Sequence, residues 1–305
     1  MPTNSSSEEF SSHASKQIFI GTANFNKKYG IGGRASMFDK RDLKKIFSEV
    51  ELKHNVLLDT AQGYSDAEKL IGEIAGKKLE NKVVTKISPN KYDTAESTVN
   101  LVKKSLIDLN QNCLYGVLLH DSNVIEYPNI DDIIQGLEYC IDSGIVSHIG
   151  ISSYDSASIQ LAAAKYRSLT IFQINENVID QRNFNSKELN DLKQIGKQIS
   201  VRSIFLQGNL LVKDSEIIPS LMPKREVFVA FEKFCEQHNS SPLKICLDYA
   251  KSIAWSNGII VGVNNFENYL EIIENYSTPT SDIEFSNSTL GSFYSDPRNW
   301  INSLC

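Results

Sequence analysis

Short apolar segments alternate along this chain with longer segments whose apolar positions follow a helical period. The apolar segments are rich in Val, Ile and Leu and most lack polar alternation, which is typical of parallel strands covered by helices. They predict eight strands, at residues 17–21, 56–59, 83–86, 116–120, 148–152, 171–174, 199–204 and 259–263. The longer segments predict helices at residues 40–54, 65–75, 95–110, 129–143 and 156–166, each long enough for one crossover between parallel strands.

The order of these elements predicts a single-domain α/β fold, a (β/α)8 TIM barrel that spans residues 17–280. Ser241 and Pro242 are suited to cap and begin a further helix. The longest interval, residues 206–258, holds two helical patterns and leaves room for a loop over the mouth of the barrel. An open doubly wound sheet would carry a GxGxxG fingerprint after its first strand. The sequence there is GTANFNKKYG, so we favour the barrel.

The terminal segments and the composition narrow the class of protein. Residues 1–16 are polar and serine-rich, which predicts a disordered leader, and residues 281–305 predict a tail packed on the barrel through its aromatic residues.

The net charge of −6 comes from interleaved acids and bases, which argues against nucleic acid or an anionic membrane as the main partner. No run of about 18 apolar residues exists, so no membrane span is expected. Five scattered cysteines without zinc spacing favour a reduced, cytoplasmic protein, and no metal is expected.

Four polar residues occupy the ends of successive predicted strands. Asp59 ends the second strand, Tyr64 follows it, Lys86 ends the third strand and His120 ends the fourth. Active-site residues of parallel barrels stand at the C-terminal ends of strands, so these four are expected to meet. Each residue alone has an ordinary structural explanation, such as a helix cap or a solvated side chain. Their occurrence together at one end of the barrel favours a site.

The four residue types are suited to proton transfer. A buried aspartate and a buried lysine are costly unless they pair, so an ion pair between Asp59 and Lys86 is expected. An ammonium beside a phenol favours the phenolate, so we expect Lys86 to lower the pKa of Tyr64 from about 10. Tyr64 would then donate a proton to a carbonyl oxygen at neutral pH, and His120 would hydrogen-bond and orient that carbonyl.

These motifs resemble those of the aldo-keto reductases. The segment DTAQGYSDAEKLIG at residues 59–72 is similar to the family's aspartate and tyrosine motif, and Lys86 and His120 match its lysine and histidine. The resemblance implies an NAD(P)H-dependent oxidoreductase that interconverts a carbonyl and an alcohol, with a small aldehyde, ketone or sugar as substrate.

The same resemblance implies contacts to the nicotinamide cofactor. Ser152 and Ser153 in GISSYD match a pair that holds the nicotinamide amide, with serine in place of the usual asparagine at position 153. Gln173 in FQIN matches the glutamine that completes this contact. The remaining implied contacts are Gly21, Thr22, Asp59, Arg202, Ser203, Phe205, Gln207, Gly262, Asn264 and Asn268.

Arg202 occupies the place where many members of the family stack a tyrosine on the nicotinamide ring. A guanidinium also stacks on aromatic faces, so cofactor binding is compatible with it. A surface or ion-pair role for Arg202 is the alternative. The segment RSIFLQGNLL and the ending SDPRNWIN resemble a carbohydrate-associated branch of the family, which implies a sugar or sugar-derived substrate.

Cofactor choice is expected to depart from the family's common preference for NADPH. No lysine or arginine occurs from residue 258 to residue 276, where the family often grips the 2′-phosphate of NADPH. Glu267 would repel that phosphate or accept from a ribose hydroxyl. We therefore expect NADH to bind at least as well as NADPH. The alternative is that the asparagines of this segment only cap a helix and that a basic residue from elsewhere holds the phosphate.

Two other functions stay open at this point. A barrel that binds nicotinamide cofactor as a sensor or accessory subunit, with little turnover, would retain the same residues. A barrel aldolase would use Lys86 as a Schiff-base nucleophile and would have no need of Tyr64. The oligomeric state is not indicated by the sequence.

Overall fold

The computed structural model describes residues 16–25, 38–281 and 283–285, and these form one domain. Eight parallel strands close into a barrel in chain order, so that the last strand pairs with the first. All eight predicted strands are confirmed. Their bounds are β1 Gln17–Gly21, β2 Val56–Asp59, β3 Val83–Ile87, β4 Leu114–Leu119, β5 Val146–Ser153, β6 Leu169–Asn175, β7 Gln198–Arg202 and β8 Gly258–Gly262.

Nine α-helices occur in this part of the chain, and they include the five that the periodicity predicted. They are α1 Lys40–Leu52, α2 Ala67–Ile74, α3 Ala95–Leu109, α4 Ile130–Asp142, α5 Ser156–Lys165, α6 Lys187–Gln194, α7 Arg225–Gln237, α8 Pro242–Ser252 and α9 Phe266–Ser277. The Ser241 side chain accepts from the Lys244 amide and Pro242 is the first residue of α8, as expected. The interval before β8 holds the two expected helices, α7 and α8, after three short 3-10 turns.

Two layers of apolar side chains determine where polar groups gather. The inner cluster fills the barrel and consists of Phe19, Leu57, Val84, Leu118, Ile171 and Ile260. The larger cluster lies between the strands and the helices. Because side chains alternate along a strand, the residue two positions after each inner residue also faces the barrel axis. These positions are Gly21, Asp59, Lys86, His120, Gln173 and Gly262, at the C-terminal mouth.

The seventh strand is shorter than predicted. The apolar run extended the expected strand to residue 204, but β7 ends at Arg202. Ser203 has φ of 63°, in the left-handed region, so the chain cannot continue as a strand beyond it. The chain then turns directly over the mouth of the barrel.

Most of the predicted leader and most of the predicted tail lie outside the described residues. Lys16, the last residue of the predicted leader, is described, and its Nζ donates to the carbonyl oxygens of Ala250 at 3.0 Å and Ile253 at 2.5 Å, so the prediction of disorder is wrong at that residue. Phe285 is described, and its ring lies 5.2 Å from that of Tyr249 and 6.2 Å from that of Phe234, centroid to centroid. Within the described ranges, no helix has the length and apolar character that a membrane crossing requires.

Candidate active site

A cavity of about 530 Å³ opens at the C-terminal mouth of the barrel. This volume lies within the usual range for small-molecule sites. Ten of the residues expected from the sequence line it together: Gly21, Asp59, Tyr64, Lys86, His120, Ser152, Arg202, Ser203, Phe205 and Gln207. The strand ends therefore bring the four expected catalytic side chains into one place.

The ion pair between Asp59 and Lys86 lies at the floor of this cavity. Lys86 Nζ donates to Asp59 Oδ2 at 2.6 Å and to the carbonyl oxygen of Thr60 at 3.0 Å. Gln173 Nε2 donates to the other carboxylate oxygen of Asp59 at 2.5 Å. The two charged side chains are 5% and 2% exposed, respectively. Each carboxylate oxygen thus has a donor, which offsets part of the cost of burying the charge.

Tyr64 and His120 form the wall above this pair. Their rings meet edge to face, with 5.7 Å between centroids and 82° between planes. Burial, together with the nearby charge of Lys86, lowers the pKa of His120 to about 4. The imidazole is therefore neutral at neutral pH and keeps one N–H donor beside the Tyr64 ring.

The pKa of Tyr64 is shifted opposite to the sequence-based expectation. Burial raises the pKa of Tyr64 well above its ordinary value, and the negative charge of Asp59 raises it further. Lys86 does not lower it as expected, because its ammonium is bound to Asp59 and lies 5.3 Å from the centroid of the Tyr64 ring. Burial also lowers the pKa of Lys86 itself, with Asp59 opposing this effect. Arg202 is the cation that lowers the pKa of Tyr64.

Arg202 enters the cavity from the end of β7 and is held on three sides. Its Cζ lies 4.0 Å from the centroid of the Tyr154 ring, so the observed stacking partner is a residue of this chain. It donates from Nη2 to the carbonyl oxygen of Ser153 at 3.0 Å, and from Nη1 to Ser203 Oγ at 3.4 Å. Its Nε is buried without a hydrogen-bond partner.

The turn after β7 carries unusual backbone angles. Ser203, Leu206 and Gln207 have φ of 63°, 46° and 53°, which are uncommon for residues other than glycine. The Leu206 amide donates to the Ser203 carbonyl oxygen at 2.9 Å, which closes the turn. Clusters of such strained residues occur mainly at functional sites, and this one lines the cavity.

Two of the expected cofactor contacts carry buried acceptor atoms that nothing in the described chain satisfies. Gln173 Oε1 and Thr22 Oγ1 are both buried without a hydrogen-bond partner. Ser152 lines the cavity, whereas the Ser153 hydroxyl lies on the other side of β5. That hydroxyl contacts Ser122 Oγ at 3.1 Å and the Asp155 carboxylate at 3.3 Å, because neighbouring residues of a strand face opposite ways.

Three further expected contacts do not line this cavity: Gly262 at the end of β8, and Asn264 and Asn268 beside the beginning of α9. Gly262 is open, with no atom within 4 Å of where a Cβ would stand. Asn264 donates its amide to Asn268 Oδ1 at 3.2 Å, and Asn265 Oδ1 accepts from the Asn268 amide at 2.7 Å. Asn24 Nδ2 also donates to Asn264 Oδ1, at 3.2 Å. The asparagines therefore cap and brace the beginning of α9.

A basic residue that the sequence did not indicate lies close to this helix end. Lys45 of α1 has its Nζ 5.1 Å from the centroid of the Phe266 ring. Asp42 of the same helix accepts from the Phe266 amide at 3.4 Å, and its carboxylate lies 3.9 Å from Lys45 Nζ. The beginning of α9 is thus faced by one acid and one base from α1.

The cavity also contains residues that sequence reasoning did not select as site residues: Ala23, Ser88, Asp121, Tyr154, Gly208 and Ile260. Ser88 and Tyr154 follow strand ends directly, as the selected residues do, so their position was the available indication. Among residues 16–25, 38–281 and 283–285, no group of three or more His, Cys, Asp or Glu side chains is arranged to hold a metal.

Comparison with known proteins agrees with the geometry. Residues 17–289 match the model of the aldo/keto reductase family. Among solved structures, an aldo-keto reductase from Bacillus halodurans in its holo form superposes with a TM-score of 0.65 at 16% identity, covering 87% of this chain and 88% of that one. A thermostable aldo-keto reductase determined with the inhibitor epalrestat gives 0.64 at 18% identity, covering 87% and 91%. No curated protein sequence matches. Since the family match spans most of the chain, the protein belongs to the aldo/keto reductase family and is an NAD(P)-dependent oxidoreductase.

Proposed function

We propose that this protein reduces the carbonyl group of a small aldehyde, ketone or sugar, with Tyr64 as the proton donor. The observation that carries the proposal is the meeting of Tyr64 and His120 in one cavity above the buried pair of Asp59 and Lys86. A substrate carbonyl that enters this cavity would find two neutral donors and a cation held in place by its counter-ion.

Tyr64 is suited to giving up a proton rather than to accepting one. Because burial raises its pKa, the phenol is fully protonated at neutral pH. Carbonyl reduction begins with this protonated form, while alcohol oxidation would begin with the phenolate. At neutral pH the phenol is therefore in the protonation state with which carbonyl reduction begins. The high pKa also makes the phenol a weaker acid, so its proton leaves only as negative charge develops on the substrate oxygen.

His120 is proposed to orient the substrate. Its neutral ring offers an N–H donor, and the edge-to-face contact with Tyr64 fixes its position beside the phenol. Two donors that converge on one carbonyl oxygen define the plane of that carbonyl and polarise it. Lys86 and Asp59 are proposed to hold Tyr64 in place and to balance charge beneath it.

The residues at the mouth fit a nicotinamide cofactor. The unsatisfied acceptor Gln173 Oε1 is suited to receive an amide N–H, and Ser152 lies beside it on the neighbouring strand. Gly21 and Gly262 pair across β1 and β8, so no side chain fills the rim at that point. Bound there, the cofactor would supply the hydride. We retain Thr22, Asp59, Arg202, Ser203, Phe205, Gln207, Asn264 and Asn268 as proposed contacts. Ser153 is not retained, because its hydroxyl is bonded to Ser122 and Asp155 and does not line the cavity.

We further propose that NADH binds at least as well as NADPH. The beginning of α9 is faced by the Asp42 carboxylate, and Glu267 lies in the first turn of that helix. Lys45 is the nearby base, but its ammonium lies close to Asp42. From the residues that the structure describes, a 2′-phosphate would lack the bidentate charged hydrogen bonds that usually hold it, each contributing about 1.5–3 kcal/mol.

The test is oxidation of NADH and NADPH by the purified protein with a panel of aldehydes, ketones and sugars. Turnover is expected, and Tyr64→Phe should reduce kcat by roughly two to four orders of magnitude while cofactor affinity is retained. The conservative Tyr139→Phe, at an exposed position near the end of α4 that does not line the cavity, is the matched control. Native turnover in Tyr64→Phe would refute the mechanism. Tight cofactor binding without turnover would support a sensor or accessory subunit, and a borohydride-trapped adduct at Lys86 would support an aldolase.

A further inference from the structure

Two cations and two carboxylates line the active-site cavity, and Lys86 is paired with Asp59. The ammonium of Lys86 is bound to the Asp59 carboxylate at 2.6 Å. The guanidinium of Arg202 lines the same cavity, and within the described part of the chain no carboxylate lies within ion-pair distance of it. Asp121 also lines the cavity, but its Oδ1 accepts from the Asn123 amide at 3.0 Å, where it caps a short helix. Arg202 therefore lines the cavity without forming an ion pair to any carboxylate of the described residues.

The position of this guanidinium is fixed while part of its donor capacity is unused. One face lies 4.0 Å above the Tyr154 ring, and a single strong hydrogen bond joins Nη2 to the Ser153 carbonyl. The contact from Nη1 to Ser203 is long, at 3.4 Å, and Nε is buried without a partner. A guanidinium has five N–H donors, and leaving a buried donor unpaired is unfavourable. Arg202 lines the cavity, so the N–H groups of Nη1 and Nη2 that these contacts do not use can donate to a ligand that supplies acceptor oxygens.

We propose that Arg202 binds an anionic group of the substrate, so that the preferred substrates are carbonyl compounds that carry a carboxylate or a phosphate. The inference rests on the carbonyl reduction proposed above. Planar guanidinium edges match the oxygen pairs of carboxylates and phosphates, which a neutral sugar or aldehyde lacks. Stacking uses the faces of the guanidinium and hydrogen bonding uses its edge, so this role is compatible with a nicotinamide ring beside Arg202.

Two matched pairs of substrates test the inference with the full-length protein. 4-Oxobutanoate is compared with butanal, and glyceraldehyde 3-phosphate with glyceraldehyde. We expect kcat/KM for the anion to exceed that for its neutral partner by about tenfold or more in at least one pair, as one charged hydrogen bond predicts. In Arg202→Gln the ratio should fall to within about threefold of unity, whereas Arg202→Lys should retain part of it. The ratio cancels any effect on cofactor binding common to both substrates.

The outcomes separate this inference from the proposed function. Turnover of neutral aldehydes without anion preference, or an unchanged ratio in Arg202→Gln, would overturn the inference alone. A loss of NADH affinity with an unchanged ratio would show that Arg202 serves the cofactor instead. If no carbonyl compound is turned over, the proposed function fails. The anion site can then still be tested by calorimetric titration with 4-hydroxybutanoate and glycerol 3-phosphate. Binding about tenfold weaker in Arg202→Gln would support the anion site, and equal or absent binding would refute it.

Discussion

The buried pair of Asp59 and Lys86 allows a sharp prediction about stability. At the observed separation of 2.6 Å, the attraction between unit charges is about 6 kcal/mol at an effective dielectric constant of about 20. Burial of each ion costs several kcal/mol, so the net contribution of the intact pair is small. Removal of one partner leaves the cost of the other uncompensated. We expect Lys86→Met and Asp59→Asn each to lower the free energy of unfolding by about 3–5 kcal/mol at pH 7.

The two variants should respond to pH in opposite directions. In Lys86→Met a charged carboxylate is penalised only in the folded state, so stability relative to wild type falls as pH rises from 5 to 8. In Asp59→Asn the folded-state pKa of Lys86 falls further below that of the unfolded chain, because Asp59 no longer opposes the effect of burial. The loss of stability is largest at low pH, where Lys86 is charged in both the folded and the unfolded state. It decreases as pH rises towards the pKa of this lysine in the unfolded chain, so stability relative to wild type rises from pH 7 to 9.

Urea unfolding followed by circular dichroism at pH 5, 7 and 9 measures both effects. Lys104→Met is the control, since Lys104 forms an exposed pair with Asp108 at 2.8 Å that contributes only about 0.3–0.5 kcal/mol. Curves for Lys86→Met and Asp59→Asn that run parallel to the wild type across this range would refute the argument. They would show that the remaining charge is solvated or compensated in each variant.

Three further predictions concern other titrating or charged groups. With saturating cofactor, the rate of reduction should not decline between about pH 6 and pH 9, because the raised pKa of Tyr64 keeps the phenol protonated; a decline centred near pH 8 would contradict this. Burial raises the pKa of Glu176 to about 8, despite hydrogen bonds from Tyr249 and Asn183. The wild type should therefore lose stability relative to Glu176→Gln as pH rises from 5 to 9. Urea midpoints that shift equally with pH in the two proteins would argue against this. Asp42→Asn removes a carboxylate that faces the beginning of α9, so it should increase the affinity for NADPH, measured by quenching of protein fluorescence, while the affinity for NADH stays the same. A wild-type preference for NADPH of tenfold or more would show that the protein has a binding site for the 2′-phosphate.

The sequence was sufficient for the barrel and for the position of the site because both depend on local patterns. A strand covered on both faces needs an unbroken apolar run, and the eight runs in order leave little choice of architecture. A polar residue that ends such a run must stand at the rim. This reasoning located Asp59, Lys86 and His120, and the structure places them within one cavity.

The features that the sequence did not predict depend on contacts between distant segments. Arg202 stacks on Tyr154 because β5 and β7 lie on either side of β6 in the closed barrel, which no local pattern reveals. Lys45 and Asp42 reach α9 only because α1 packs against it after the barrel closes. The early end of β7 depends on the left-handed backbone of Ser203. Serine has no particular preference for that conformation, so the sequence did not indicate it.

The pKa of Tyr64 shows why a correct set of residues did not give the correct electrostatics. The sequence placed an ammonium near the phenol, but the effect of a charge depends on its partner as well as on its distance. Lys86 is bound to Asp59, so the pair offers the phenol little net positive charge, and burial decides the outcome. The same burial lowers the pKa of His120 and keeps both rings neutral. Arg202 stays charged because a guanidinium does not lose its proton in proteins. The cavity therefore holds two neutral donors, Tyr64 and His120, beside the guanidinium of Arg202, an arrangement that would stabilise negative charge developing on the carbonyl oxygen in the proposed reaction.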